Sequence, residues 1–290
     1  MNNIIKKSGI MLSGYRYFVF TLSLFTAFEM SARTVHWITF IDTEDEHVGI
    51  LNKNARKVLY SHLIDVVNKE VSQYGYDHKI YDYYNTSYTP ENCMKVIRNL
   101  QCYATDVIVF YYIGHGYRSS SDFQDARYPY CTFGYLPEKS IPLAWIHNEL
   151  KQKSVQLVVS IGVCSNVIME FSSNSNSNEI VPPTLNGMDT LGMTIAESFL
   201  GNKGDIIVCS AGPGQQSMGG STNLGNMDFF TYMFITCFDQ MSSEQKFNWD
   251  TFLKKVSVDT SEITKGSRFN RMQIPIYDCN ITPVQIPTRK

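Results

Sequence analysis

The chain has 290 residues, of which 43% are hydrophobic, and a formal net charge of −2 at pH 7. This length and hydrophobic content suffice for one large domain with a sizeable core. The small net charge argues against a nucleic-acid-binding protein, because such proteins usually carry a strong basic excess or a basic stripe. The seven cysteines leave at least one thiol free and show no zinc-site spacing, so we expect no bound metal.

The N-terminal segment 1–32 has the pattern of a signal peptide. The basic residues Lys6, Lys7 and Arg16 precede an apolar stretch of 12 residues, and a small residue, Ala32, follows it. That stretch is shorter than the ~20 residues that a membrane-spanning helix needs. We therefore expect cleavage near Ala32, export to a periplasm or out of the cell, and no stable membrane span. The alternative is an N-terminal helix that packs on the domain.

Strands and helices alternate along the rest of the chain. VHWITFI predicts a buried first strand, and the apolar residues that follow recur at helical spacing up to Gly75, which is placed as a C-terminal cap. HKIYDYY predicts a second strand, and Thr89 and Pro90 suit the N-cap and first position of a second helix. DVIVFYYI and VQLVVSIGV predict two further buried strands, with a helix over 143–151 between them. We expect His147 on the solvated side of that helix.

This alternation predicts an α/β fold with a mainly parallel sheet of about six strands and helices on both faces. Two strands end in residues that can do chemistry: His115 follows VIVFYYI, and Cys164 follows VQLVVSIGV 49 residues later. Parallel sheets present reactive groups at the carboxyl ends of their strands. If the two strands are neighbours, as a right-handed crossover makes usual, His115 and Cys164 meet at one edge of the sheet.

A histidine and a cysteine so placed predict the dyad of a cysteine peptidase. The thiol attacks as a thiolate, and the imidazole can then protonate the leaving amine. Gly114 and Gly116 flank His115, and we expect the backbone N–H groups of Gly116 and Cys164 to bind the oxyanion. All six histidines precede Cys164, which excludes papain-like enzymes and nucleophile-elbow hydrolases because both need a later histidine.

These features resemble the caspase and metacaspase superfamily of cysteine peptidases, whose histidine lies roughly fifty residues before the cysteine. DIIVCSAGPGQQS is similar to that family's strand after the cysteine, and GNMDFFTYMFITCF to the helix that follows. The resemblance spans about Thr34 to Asp278 and implies a caspase-like peptidase domain over 33–290 that acts on peptides or proteins. Metacaspases carry an acid two positions before the cysteine where this chain has Gly162, which leaves the substrate preference open.

Three residues are candidates for substrate binding: Asp42, in the acidic loop DTEDE that follows the first strand, and Ser210 and Gln216 in the glycine-rich segment 210–217. The resemblance implies that segment 210–217 is the rim of a cleft where an extended peptide pairs with backbone. The acidic loop is either a solvated turn, which we favour, or a calcium site like that of some metacaspases. We expect that no cofactor is required.

The polar stretch 171–189 predicts an exposed linker. It contains no lysine or arginine, so we expect no trypsin-like self-cleavage there. The sequence thus favours an exported, monomeric cysteine endopeptidase that acts through His115 and Cys164. The alternative is a catalytically inactive caspase-like protein that binds peptides or serves as a scaffold.

Overall fold

The apolar runs of the sequence form the strands of a central sheet. The computed structural model describes residues 33–119, 127–134, 137–169, 194–243, 247–266 and 271–289. The predicted signal peptide and the predicted linker both lie outside the described residues.

The described residues form the predicted strands and helices of the central sheet and several further short strands. The strands are β1 (Arg33–Ile41), β2 (Tyr76–Tyr84), β3 (Val107–Ile113), β4 (His115–Ser119), β5 (Tyr130–Thr132), β6 (Ser140–Pro142), β7 (Leu157–Val163), β8 (Ile168–Met169), β9 (Asn202–Cys209), β10 (Gly219–Thr222), β11 (Gly225–Asp228) and β12 (Ile276–Pro283). The helices are α1 (Gly49–Leu59), α2 (Asp65–Ser72), α3 (Pro90–Asn99), α4 (Leu143–Lys151), α5 (Ile195–Leu200), α6 (Phe229–Ser243) and α7 (Trp249–Lys265). A π-helical turn, Tyr60–Ile64, joins α1 to α2.

The central sheet has six strands in the order β12–β9–β7–β3–β1–β2. Neighbouring strands from β9 to β2 are parallel, and only the edge strand β12 runs antiparallel to its neighbour within this sheet. The predicted α/β fold with a mainly parallel sheet is therefore confirmed. Strands β3 and β7 are neighbours, with Ile113 opposite Val163, so the two reactive strand ends lie at the same edge.

Helices cover both faces of the sheet because successive side chains of a strand point to opposite faces. Along β3, Val109 and Tyr111 pack with α1, α2, α5, α6 and α7, whereas Phe110 and Tyr112 pack with α3 and α4. Every residue of β3 is buried. Each large apolar side chain so removed from water contributes roughly 1.5–3 kcal/mol before the entropy of ordering is subtracted. The sequence VIVFYYI is apolar throughout because both of its faces are core.

Local signals end and begin the helices where the sequence predicts. The Thr89 hydroxyl accepts the N–H of Asn92 at 3.1 Å, and Pro90 is the first residue of α3. Gly75 follows α2 with φ 78°, a conformation that glycine adopts without steric cost. Helix α4 occupies the predicted residues Leu143–Lys151.

The expectation that His147 is solvated is wrong. Its ring is buried between α4 and the sheet, with Nδ1 2.9 Å from Ser160 Oγ and Nε2 3.0 Å from Asp205 Oδ1. Burial lowers the pKa of His147, although Asp205 acts in the opposite direction. The two partners belong to β7 and β9, so the helical spacing within α4 gave no sign of them.

A second, four-stranded sheet, in the order β6–β5–β4–β8, begins directly after β3. His115 is the first residue of β4 and therefore stands where the two sheets meet. Strands β10 and β11 form a separate antiparallel hairpin. Residues Arg33–Lys290 make up one compact unit. Among the helices of the described ranges, none has both the length and the hydropathy to cross a bilayer.

Candidate active site

The sheet brings His115 and Cys164 to adjoining positions. The N–H of Gly114 donates to the carbonyl of Val163 at 3.1 Å, which joins the residue before His115 to the residue before Cys164. Gly116 lies against the cysteine so closely that a Cβ at this position would be 2.6 Å from Cys164 Sγ. A side chain on residue 116 would therefore displace the thiol, which explains why glycine occupies this position.

The imidazole of His115 is held by a carboxylate that the sequence analysis did not select. His115 Nε2 lies 2.8 Å from Asp45 Oδ2. The Asp45 side chain is only 1% exposed, whereas that of His115 is 38% exposed. A buried carboxylate fixes the orientation and tautomer of the ring it contacts, and the His115 side chain stays partly exposed to solvent.

Asp45 is positioned by the loop that leads from β1 into α1. Its Oδ1 accepts the backbone N–H groups of His47 and Val48, each at 2.8 Å, while Oδ2 faces His115. The residue thus stabilises the turn before α1 with one oxygen and the imidazole with the other. The N-cap of α1 is Val48, which has no side-chain cap, so helix-start signals in the sequence do not distinguish Asp45 from the other acids of DTEDE.

Asp42 is buried, and its backbone ties the end of β1 to the site. Its N–H donates to the carbonyl of Ile113 at 2.9 Å, and its carbonyl accepts Asn52 Nδ2 at 2.7 Å. Burial and then the charge of Asp45 raise the pKa of the Asp42 carboxyl, and His115 opposes this rise. Asp42 therefore lies within electrostatic range of the pair formed by Asp45 and His115, and its contact with substrate stays a prediction.

The thiol of Cys164 is packed inside the protein. The residue is 1% exposed and belongs to the core between the sheet and helices α3 and α4. A hydrogen bond with the thiol of Cys131 and burial raise the pKa of Cys164 well above the ordinary value, while a contact with Cys209 acts in the opposite direction. In this conformation the sulfur is a protonated thiol, and it must become exposed before it can attack a substrate.

The backbone of Cys164 is bonded to Ser210. The N–H of Cys164 donates to Ser210 Oγ at 3.0 Å, and this hydroxyl lies 3.1 Å from the carbonyl oxygen of Cys164, to which it can donate. Ser210 is fully buried. Ser210, a predicted substrate-binding residue, is therefore buried and holds the backbone of Cys164, and the Cys164 N–H predicted to bind the oxyanion already has a partner in this conformation.

The segment 210–217 is anchored by two residues that the sequence analysis missed. The backbone carbonyl of Asn166 accepts the N–H of Gly214, and its backbone N–H donates to the carbonyl of Gln215, each at 2.8 Å. Gln273 Nε2 donates to the carbonyl of Ser210 at 2.8 Å. Gln216, the other predicted substrate residue, is exposed on this segment, with Oε1 3.4 Å from Arg271 Nη1. Asn166 follows Cys164 closely, but nothing around Gln273 in the sequence points to this role.

Two buried tyrosines support the backbone of His115. Tyr112 OH donates to the carbonyl of His115 at 2.6 Å, and Tyr88 OH donates to Tyr112 OH at 2.7 Å. A Cβ at Gly114 would overlap both hydroxyl groups. The two glycines beside His115 are thus required for different reasons. The lack of a side chain at Gly114 makes room for the tyrosine hydroxyl groups, and that at Gly116 makes room for Cys164.

The sheet thus places a carboxylate-bound imidazole and a thiol on adjoining strand ends, and these are the two groups that nucleophilic acyl transfer requires. No protein-family model and no curated protein matches this chain. A functional assignment therefore rests on the residues and their geometry.

Proposed function

We propose that this chain is a caspase-like cysteine endopeptidase with Cys164 as the nucleophile and His115 as the general acid and base. Asp45 holds the imidazole in the orientation that this role needs. The observation that carries the proposal is the 2.8 Å contact between a buried Asp45 and a half-exposed His115, at the edge of the sheet where Cys164 also lies. A histidine serving only to support the fold would not need an exposed, carboxylate-bound ring at this position.

In the proposed reaction His115 takes the proton of the Cys164 thiol, and the resulting thiolate attacks the carbonyl carbon of the scissile peptide bond. The leaving amine takes its proton from His115, and a thioester remains on the sulfur. His115 then accepts a proton from the water molecule that hydrolyses the thioester. The backbone N–H groups of Gly116 and Cys164 stabilise the oxyanion, and each such donor is worth ~10²–10³ in rate in other hydrolases.

Activation requires two local changes at the nucleophile. The Cys164 side chain turns out of its contacts with Cys131 and Cys209, and its N–H leaves Ser210 Oγ to become an oxyanion donor. Both changes concern one residue at the end of β7 and leave the sheet intact. We therefore assign the described conformation to a resting form of the enzyme.

The partners in this proposal are peptides or proteins that enter as extended chains along segment 210–217. The acidic residues around Asp42 favour a substrate with a basic side chain. The net charge of −2 gives no support to nucleic-acid binding, and the chemistry requires no cofactor. We further propose that the protein is exported and acts as a monomer. The signal-peptide pattern of residues 1–32 supports export.

A second candidate function is peptide binding without turnover. The observation that favours it is the state of Cys164, which is 1% exposed and has a raised pKa and an engaged N–H. A protein that had lost catalysis would tolerate such burial of its cysteine. The same site would then recognise peptides along segment 210–217.

The two candidates are separated by hydrolysis of a peptide library, varied at the residue before the scissile bond. The full-length protein is compared with Cys164→Ala and with Cys237→Ala, a matched loss of a buried thiol in α6. We expect activity in the unmodified protein and in Cys237→Ala, and at least a 10³-fold loss in Cys164→Ala. Equal hydrolysis by all three forms would refute the proposal. Peptide binding without hydrolysis in all three would favour the second function.

A further inference from the structure

A second group of reactive side chains lies at the opposite end of the sheet from His115. His36 is near the start of β1, Asp106 directly precedes β3, and Cys102 lies in the connection between α3 and β3. One nitrogen, one sulfur and one carboxylate oxygen from these residues all lie within 4.8 Å of one another. Imidazole, thiolate and carboxylate are the three kinds of ligand that zinc accepts in proteins.

Two of the three side chains are fixed in place. The Asp106 carboxylate accepts the N–H of Thr34 at Oδ1 and that of Tyr103 at Oδ2, both at 2.9 Å. His36 Nε2 lies 3.1 Å from Asp106 Oδ2, and both side chains are 1% exposed. That separation is close to the ~3.3 Å expected between nitrogen and oxygen ligands of a tetrahedral zinc ion with bonds of ~2.0–2.1 Å. A metal ion can therefore replace the proton between these two atoms with little movement of either.

Without a metal ion the Asp106 carboxylate holds the His36 proton on Nε2, so binding of a metal at Nε2 requires a change of tautomer. For Nε2 to bind a metal, the ring proton must move to Nδ1, which a hydrogen-bond donor facing Nδ1 would prevent. Nδ1 of His36 is buried and has no hydrogen-bond partner among the residues that the structure describes. The ring therefore loses no hydrogen bond at Nδ1 when Nε2 becomes a ligand, and the cost is a buried Nδ1–H without an acceptor among the described residues.

Cys102 completes the set and gives access from solvent. It is half-buried, in contrast to the other two residues, so a metal ion can enter on its side. Burial and the charge of Asp106 raise the pKa of the Cys102 thiol to about 11, and Lys153 and Lys79 oppose this rise, so a metal ion must displace the thiol proton when it binds. One thiolate, one carboxylate and a neutral imidazole balance a charge of +2, which limits the cost of burying the ion. Three protein ligands leave one position for water.

We propose that His36, Cys102 and Asp106 form a binding site for Zn²⁺ that joins β1 to the connection between α3 and β3. The mixed sulfur, nitrogen and oxygen ligands suit zinc better than magnesium or calcium, which require oxygen ligands. This proposal departs from the expectation of no bound metal, which rests on cysteine spacing alone, because the three ligands are far apart in the sequence. It is independent of the proposed peptidase reaction, which needs no metal.

The first test is a titration of the full-length, metal-free protein with Co²⁺, whose bond to a thiolate gives a charge-transfer band in the near ultraviolet. We expect one Co²⁺ per chain and displacement of the band by Zn²⁺. Cys102→Ser should abolish the band and weaken Co²⁺ binding at least tenfold. Substitution of residues that only support a metal ligand already lowers metal affinity by about this factor, so loss of a ligand should cost no less. Cys279→Ser, which removes another half-buried thiol, and Cys164→Ala should both retain the band.

A second measurement uses the unmodified protein, so it does not depend on folding of a variant. Alkylation of Cys102 and Cys279 by iodoacetamide is followed by mass spectrometry with and without Zn²⁺. We expect Zn²⁺ to slow alkylation of Cys102 at least tenfold and to leave Cys279 unaffected. Equal protection of both thiols, or protection of neither, would overturn the proposal, as would a Co²⁺ band that persists in Cys102→Ser.

Discussion

Replacement of Asp45 by asparagine changes the proton on His115 while keeping the size of the side chain. In the wild type Oδ1 accepts the N–H groups of His47 and Val48, and Oδ2 accepts His115 Nε2–H. The amide of the introduced asparagine has one oxygen, and the two backbone donors at 2.8 Å hold it in place. The NH₂ group then faces Nε2, which must become an acceptor. His115 is forced to carry its proton on Nδ1, the opposite tautomer.

The size of the effect follows from the chemistry of the nucleophile. The same substitution beside the histidine of a serine protease lowers kcat by about 10⁴ because the tautomer is wrong. A thiol depends less on its base than a hydroxyl does, because it is the stronger acid. We therefore expect Asp45→Asn to lower kcat by about 10²–10³. The melting temperature should change little, since the oxygen keeps its two backbone hydrogen bonds.

Two assays test this prediction. Hydrolysis of the best library peptide gives kcat, and ¹⁵N NMR of the histidine ring nitrogens gives the tautomer of His115 whether or not a peptide is cleaved. Glu46→Gln is the matched control, because it neutralises the neighbouring acid, which is exposed. An Asp45→Asn protein that kept the Nε2–H tautomer of His115, or lost no more activity than Glu46→Gln, would refute the reasoning.

Two further substitutions test burial. Asp228 precedes α6, and burial raises its pKa from 3.8 to about 6. The contribution of this group to the free energy of unfolding, about 3 kcal/mol, is fully present below its pKa in the unfolded chain. It is lost as the pH rises through its pKa in the folded protein. Asp228→Asn should abolish this loss of stability, whereas Asp65→Asn, which changes an exposed acid, should not. The free energy of unfolding in urea, measured between about pH 4 and 7, tests this prediction. A stability that depended on pH in the same way in the wild type and in Asp228→Asn would contradict it. Gly116→Ala would place a methyl group 2.6 Å from Cys164 Sγ and 2.7 Å from the carbonyl oxygen of Ser165. It should cost about 1–3 kcal/mol, and an unchanged melting temperature would show that the close contact is absent.

The sheet and the positions of His115 and Cys164 could be predicted because both depend on patterns that are local in the sequence. A strand buried on both faces is apolar throughout, and VIVFYYI and VQLVVSIGV show this directly. The residue after such a strand lies at the carboxyl edge of the sheet in any parallel α/β fold. Neither step requires knowledge of side-chain contacts.

The contacts of the site could not be predicted in the same way. Four acids occur in DTEDE, and only the geometry of the turn before α1 decides that Asp45 meets the imidazole. The direction of the Cys164 side chain depends on Cys131 and Cys209, which come from other strands. His147 finds its partners in β7 and β9 for the same reason. Each of these outcomes is set by residues that are distant in the sequence.

In the proposed peptidase, the hydroxyl of Ser210 links the nucleophile Cys164 to the predicted substrate-binding segment 210–217. This hydroxyl bonds to both the backbone N–H and the carbonyl oxygen of Cys164, and Gln273 donates a hydrogen bond to the carbonyl of Ser210. A peptide that pairs with segment 210–217 therefore acts on the residue that restrains the cysteine. In the proposed peptidase, peptide binding along this segment and release of Cys164 would therefore form a single equilibrium, in which a bound peptide favours the reactive cysteine and its absence keeps the thiol buried.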